Sequence, residues 1–245
     1  MSNPVALVTG GNSGIGLSVA QRLAEHGFDV VISGRREDAL KEAATTHDKI
    51  SYVVADARDS GDAKKALDAV KERHGRLDVL VNNAGVAPGL PLAMTSDDHV
   101  DSIFETNVRG VISTTREALG LLGASKGQVI NISSAVVQRP IPGMSVYSAS
   151  KAALASLTKA WARELAPEGI RVNAVNPGPI ETPLFSKTGL SEEEIQHMAS
   201  EIQEMVPLQR FGQAEEVANV VAFLADPKHG YITGSEYNVD GGFGS

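Results

Sequence analysis

The sequence predicts an α/β protein built on one parallel sheet with helices on both faces. Three observations carry that expectation. Short apolar runs alternate with longer amphipathic segments, the order of βαβ units. The runs are rich in β-branched residues and too short to be buried helices. They are continuous rather than alternating, as suits strands covered on both sides.

Taken in order, Val5–Val8 leads into a glycine-rich turn and the helical pattern Ile15–His26. Val30–Ile32 follows, then Gly34-Arg35-Arg36 opening the next helix. Tyr52–Ala55 is the third run, with Asp62–His74 as its helix. Val79–Val81 is followed by an irregular stretch, 86–94, and by Ser96–Leu122, which reads as one helix. Val129–Ile132, the helix Tyr147–Ala166 and Val172–Val175 continue the alternation. In Ser191–Ile195 a serine precedes three glutamates, the pattern of a capped helix start. Glu215–Leu224 is the last helix, and Tyr237–Val239 the seventh strand. No repeat, low-complexity tract or linker divides the chain, so residues 1–245 read as a single domain. In open parallel sheets ligands bind beyond the carboxyl ends of the strands. The irregular stretches 86–94 and 178–206 both follow strand ends, and the latter is the expected substrate loop or lid.

Composition narrows the function. Of 245 residues 42% are hydrophobic, 21% charged and only 4% aromatic, so the core is built from Ala, Val, Leu and Ile. The net charge of −8 disfavours nucleic acid and anionic membranes as partners. The absence of cysteine excludes disulfides, thiolate metal sites and a cysteine nucleophile. The six histidines show no metal-ligand spacing, so no metal is expected. The first residues lack the pattern of a signal peptide, and no apolar run is long enough to span a membrane. A cytoplasmic enzyme is therefore expected. Asn131-Ile132-Ser133 spells a glycosylation sequon inside an apolar strand, and is read as coincidence.

Two motifs carry chemistry. Between the first strand and its helix lies Thr9-Gly10-Gly11-Asn12-Ser13-Gly14-Ile15-Gly16. Glycines let backbone approach a pyrophosphate closely, and the helix N-terminus offers free N–H groups and partial positive charge. The spacing is one residue looser than the common dinucleotide fingerprint and lacks the Gly-Lys-Ser/Thr of a triphosphate loop. The second motif is Tyr147-Ser148-Ala149-Ser150-Lys151. Residues i and i+4 share a helix face, so the ammonium of Lys151 can lower the Tyr147 pKa from ~10 toward working pH, as a general acid/base requires. On spacing alone a surface Tyr–Lys pair is the plainer reading. Ser148 and Lys151 also spell S-x-x-K, but the companion motifs of serine acyl-transferring enzymes are missing.

Together these residues resemble the short-chain dehydrogenase/reductase family over essentially the whole chain. The marks are TGGNSGIG at 9–16, Asp56 after the third strand and NNAG at 82–85, then Asn107 in NVRG. Ser134 in NISSA, YSASK at 147–151 and PGPIET at 177–182 complete the order. The resemblance implies a single-domain Rossmann fold with a doubly wound, seven-stranded parallel sheet. It implies that Tyr147 donates the proton, that Ser134 holds the substrate oxygen and that Lys151 binds the nicotinamide ribose. Asn107 would hold a water linking Lys151 to solvent. Ser134 precedes Tyr147 by thirteen residues, the family's usual spacing, which favours it over Ser133. The expected cofactor contacts are Gly10, Asn12, Ser13, Gly14, Ile15 and Gly16 at the phosphates, Asp56 at the adenine, and Asn83, Ala84 and Gly85 along the cleft. Pro177, Gly178, Ile180 and Thr182 complete them, with Thr182 orienting the carboxamide.

Family members preferring NAD usually carry an Asp at the end of the second strand. Here Gly34 stands there, followed by Arg35 and Arg36. A guanidinium can bind a 2′-phosphate bidentately, so NADP(H) is the expected cofactor. The leading functional expectation is reduction of a ketone or aldehyde, reversible as alcohol oxidation. Val86, Leu90, Leu92, Val136, Ile141, Met144, Leu184 and Phe185 are the expected contributors to an apolar pocket for this small-molecule substrate. Met198 and Met205 are read as either pocket or packing residues. A second reading is 3-oxoacyl-[acyl-carrier-protein] reductase, although the positions where such enzymes present arginines to the carrier hold Ser125 and Glu168. A third is a non-catalytic NADP-binding protein, disfavoured by the intact Ser134, Tyr147 and Lys151. The resemblance also implies a homotetramer.

Overall fold

In a computed structural model, residues 2–181 and 192–245 of the chain are described. The strands are β1 (Val5–Thr9), β2 (Asp29–Gly34), β3 (Ile50–Val54), β4 (Val79–Asn82), β5 (Gln128–Ile132), β6 (Arg171–Pro177) and β7 (Glu236–Val239). They form one seven-stranded sheet in the order β3-β2-β1-β4-β5-β6-β7. Every pairing is parallel. Each strand contains or overlaps one of the seven apolar runs.

Successive strand residues point to opposite faces, and both faces are covered. Ala6, Val8, Val30 and Ile32 pack beneath helix α1 (Gly14–Glu25), the short α2 (Glu37–Ala44) and α8 (Ala214–Ala225). Val5, Leu7, Val31 and Leu80 face the other way, against α3 (Ser60–His74), α5 (Gly110–Ser125) and α6 (Ser145–Glu164). Two-sided burial is why the strands read as unbroken apolar runs. The remaining helices are α4 (Asp97–Phe104) and α7 (Glu192–Glu204), the latter where the acidic run predicts a helix.

The expected single helix Ser96–Leu122 is instead three segments. Between α4 and α5 the backbone widens into a π-helical turn, Glu105–Arg109, centred on Asn107. Such insertions shift side chains around the axis and concentrate at functional sites. No proline announces it; Gly110 directly after it does stand mid-segment, where a Cβ would collide with the Ala57 carbonyl, but a lone glycine does not distinguish a π-turn from a continuous helix. Asn131 is fully buried in β5, accepting from Asn82 Nδ2 and donating to Thr158 Oγ1, both at 2.9 Å. The sequon is therefore a core element of the folded chain.

Strand β1 lies between β2 and β4, so the chain reverses its direction of travel across the sheet there. The crevice at the carboxyl ends of β1 and β4 is the topological switch point, where α/β folds bind ligands.

Candidate active site

A cleft of about 440 Å³ opens at that switch point. One wall is the turn after β1, with Gly10, Asn12, Ser13, Gly14, Ile15 and Gly16 all lining it. Gly14 has φ +52°, a left-handed conformation that favours glycine. At Gly16 a Cβ would collide with the Gly10 carbonyl oxygen and the Asn83 amide. The turn is held from the other wall. Asn83 Nδ2 donates to the carbonyls of Thr9 (2.9 Å) and Gly10 (3.1 Å). Thr9 Oγ1 accepts from the backbone N–H of Asn83 and of Ala84, both at 3.0 Å. Asn83 therefore does more than line the cleft: it braces the phosphate turn.

Gly34, Arg35, Arg36 and Asp56 line the same cleft. A Cβ at Gly34 would come within 2.9 Å of Asn12 Oδ1, so Asn12 takes the space a side chain there would need. Arg35 and Arg36 are exposed, and among the described residues neither forms an ion pair. The Asp56 carboxylate is held by Arg58, which keeps it below the usual carboxylate range.

The reactive side chains gather where β5 ends and α6 begins. Ser134 follows β5 and opens a short 3-10 turn, accepting from the Val136 N–H at 3.4 Å. Its hydroxyl lies close enough to the Tyr147 phenol to act on it electrostatically. Ser133 points elsewhere, donating to the Lys151 carbonyl at 3.2 Å, which leaves Ser134 as the serine beside the tyrosine. Lys151 is buried, 5% exposed, with Nζ 5.9 Å from the Tyr147 ring centre and donating to the Ile132 carbonyl at 2.8 Å. Burial pulls its pKa down to about 8. The expected depression of the Tyr147 pKa is not realised in this arrangement. Burial dominates and raises it, and the nearby Ser134 hydroxyl pulls only partly the other way. Gly85, on the cleft wall, closes the geometry: a Cβ there would lie 3.5 Å from Lys151 Nζ and 3.3 Å from Asn107 Oδ1.

Asn107 is fully buried, and its side chain is committed to the protein. Nδ2 donates to the Val86 carbonyl (2.9 Å) and Ser150 Oγ (3.0 Å), while Oδ1 accepts from the Val86 N–H (2.9 Å). Ser150 in turn donates to the Tyr147 carbonyl at 2.7 Å. The amide thus fastens the π-turn to the cleft wall and to the catalytic helix.

On the substrate side, Leu90 N–H donates to the Gly143 carbonyl at 2.7 Å, joining the two loops that flank the site. Val136 is buried, Ile141 and Met205 pack around Ala135, Val206 and Phe243, and Leu92 is 79% exposed. Pro177 ends β6, Gly178 is tight against Asp240, and Ile180 is buried and bridges to Gly212. Thr182, Leu184 and Phe185 lie outside the described residues, as does the Met198 side chain.

Residues 10–244 match the family described as enoyl-(acyl carrier protein) reductase. The 3-oxoacyl-[acyl-carrier-protein] reductase FabG of Thermotoga maritima is 38% identical, over 99% of this chain and 98% of its own. The Staphylococcus aureus enzyme of the same name is 40% identical, over 97% and 96%. The chain belongs to the short-chain dehydrogenase/reductase family. A variant of actinorhodin polyketide ketoreductase with NADPH superposes with a TM-score of 0.92 at 36% identity, covering 99% of this chain and 98% of that one. The 3-ketoacyl-(acyl-carrier-protein) reductase of Brucella melitensis, complexed with NADH, gives 0.92 at 33% with the same coverage.

Within this short-chain dehydrogenase/reductase, Thr9, Thr106 and Ser150 are working parts that sequence reasoning did not single out. Thr9 splices β1 to the end of β4, and Thr106 lines the cleft from the π-turn. Thr9 and Ser150 sit inside the recognised motifs, so adjacency was the available signal. Thr106 adjoins Asn107, but the π-turn that aims it into the cleft was not foreseen.

Proposed function

We propose that this protein is a cytoplasmic, NADP(H)-dependent ketoreductase that delivers a hydride to a ketone carbonyl and protonates the oxygen from Tyr147. The observation that carries the reading is the gathering of Ser134, Tyr147 and buried Lys151, with Lys151 Nζ 5.9 Å from the Tyr147 ring centre, beside the cleft that Gly85 lines. The residues fit the cofactor. The glycine cradle leaves room for phosphates, and the free guanidinium groups of Arg35 and Arg36 suit a 2′-phosphate. Asp56 would hold the adenine, and Ala84 and Gly85 would lie along the ribose. Pro177, Gly178, Ile180 and Thr182 would border the nicotinamide. When bound, the reduced cofactor supplies the hydride.

The chain supplies position and proton. Ser134 donates a hydrogen bond to the carbonyl oxygen and fixes it, as an oxyanion-hole donor does. Tyr147 carries its proton at neutral pH, as an ordinary phenol does, and burial raises its pKa further, which suits a general acid in the reductive direction. The ammonium of Lys151 steadies the phenolate left behind. Both Asn107 Nδ2 hydrogens are committed to the protein, so a water relay at this position would draw on its carbonyl oxygens.

The substrate assignment divides two readings. The match to carrier-protein reductases favours a 3-oxoacyl thioester. Against a carrier, Ser125 Oγ is turned inward to the Leu77 carbonyl, and acidic Glu168 sits beside Gly123. We favour a free small-molecule ketone, and a homotetramer as the assembly. NADPH oxidation over a panel of simple ketones, an acetoacetyl thioester and acetoacetyl carrier protein tests this. Comparable kcat/KM for free and carrier-bound substrate is expected. A large preference for the carrier form would replace this reading with the carrier-protein reductase, and no turnover across the panel would overturn both.

A further inference from the structure

At the adenosine end of the cleft a carboxylate lines the same wall region as two guanidinium groups that form no ion pair among the described residues. Asp56 lines the cleft with Arg35 and Arg36, and its side chain is 25% exposed. Arg35 is near enough to act on the carboxylate as a second positive charge. Yet Asp56 is engaged by a different arginine. Arg58 Nε donates to both carboxylate oxygens at 3.1 Å, Nη2 donates to Oδ2 at 2.6 Å, and the Arg58 backbone N–H donates to Oδ1 at 3.0 Å. The Asp56 backbone N–H is pinned in turn by Asp62 Oδ2 at 2.8 Å. Glu105, the other carboxylate acting on Arg58, has its own partner in Arg109 at 2.8 Å.

We infer that Arg58 sets cofactor selectivity by masking the Asp56 carboxylate, which leaves the Arg35 guanidinium free for the 2′-phosphate of NADP(H). The inference rests on the cofactor reading above. Without Arg58, an unmasked carboxylate would compete for Arg35 and repel a dianionic phosphate, while a ribose carrying only hydroxyls would be unaffected or favoured. Arg58 then acts through Asp56 rather than as a phosphate ligand. The two roles are separable, because masking becomes superfluous once the carboxylate is gone.

Calorimetric titration with 2′,5′-ADP and 5′-AMP, which differ only by the 2′-phosphate, reads the effect directly. The proteins are the wild type, Arg58→Gln, Asp56→Asn and the double variant, with thermal melting as the check on folding. Whatever Asp56 contributes to adenine binding applies equally to both nucleotides and cancels in the ratio. Wild type is expected to favour 2′,5′-ADP. Arg58→Gln should lower the ratio roughly tenfold, the equivalent of about 1.4 kcal/mol. The double variant should return to within about twofold of wild type. An unchanged ratio in Arg58→Gln overturns the inference. A double variant as poor as Arg58→Gln overturns it as well, since Arg58 would then be a ligand itself. A wild type indifferent to the 2′-phosphate overturns the cofactor reading, and this inference with it.

Discussion

At the residue scale, the site rests on how burial treats two adjacent ionisable groups. Burial raises the pKa of the Tyr147 phenol and makes the Lys151 ammonium costly. Tyr147→Phe removes the proton while preserving the ring, so turnover should fall to a few per cent or less with NADPH binding nearly unchanged. Steady-state rates beside NADPH titration check this, and appreciable residual activity would place the proton donor elsewhere. Ser134→Ala should cost ~10²-fold in kcat, as losing one oxyanion donor does. Lys151 supports a sharper test. Its pKa is lowered from 10.5 to about 8, so below about pH 8 folded and unfolded chains both carry the proton, and only the folded one bears its desolvation. Between about 8 and 10.5 the unfolded chain holds more protons, and stability rises with pH. Lys151→Met has no such dependence. Allowing for the lost bond to the Ile132 carbonyl, the cofactor-free variant should be about 1–2 kcal/mol more stable than wild type at pH 7. Denaturant melts at pH 7 and 9.5 should show that gap closing at the higher pH. A gap constant with pH would mean the ammonium is not desolvated as described.

At the element scale, much of the molecule was legible because its physics is periodic. Two-sided burial makes the apolar runs of the central strands, while the partly buried edge strands, down to Tyr237–Val239, were legible from β-branched and aromatic residues alone. The glycine turn was legible because close backbone approach admits only one residue type. At Gly16 the observed collision makes this quantitative. Gly16→Ala should cost about 1–3 kcal/mol in stability, the range for forcing a methyl into a filled space. It should also weaken NADPH binding by at least about tenfold, which is the effect of another 1.4 kcal/mol lost at the phosphates. Melting and titration of the variant check both, and near-native values for the two together would show that the turn can shift freely. What escaped the sequence is non-periodic. The π-turn at Glu105–Arg109 is set by tertiary bonds from Asn107 to Val86 and Ser150, and local propensity carries no trace of partners so distant along the chain. The pairing of Asp56 with Arg58 was missed for a related reason. Asp56 stood out through the family, and its neighbour two residues on, with no motif of its own, did not. The Tyr147 pKa was misjudged because i,i+4 spacing reports proximity to a charge and says nothing about burial.

At the scale of the whole molecule, the question is what the surface left outside this fold is for. Among the described residues, two exposed surfaces outside the cleft stand on different faces of the sheet. One is the outward side of α5 and α6, on one face of the sheet, where exposed Ile112, Gly120, Ala149 and Ala152 make a shallow surface that lets helices approach closely. The other adjoins α8 and the open edge strand β7, where Phe223 is 43% exposed and Tyr231 is fully so. A single self-complementary patch closes a dimer about a twofold axis. If each of these surfaces closes on its own copy, the two give two twofold axes and a tetramer of dihedral symmetry, the assembly proposed above. Sedimentation at micromolar concentration should therefore show a tetramer. Each patch should be removable independently, because none of these side chains is needed in the core of the single chain. Ala152→Arg should leave dimers held through the β7 edge, and Tyr231→Glu combined with Phe223→Glu should leave dimers held through α5 and α6. The combined variant should be monomeric with an unchanged circular dichroism spectrum. A wild-type monomer would refute the assembly outright. A tetramer that survives both sets of substitutions would place its interfaces elsewhere on the molecule.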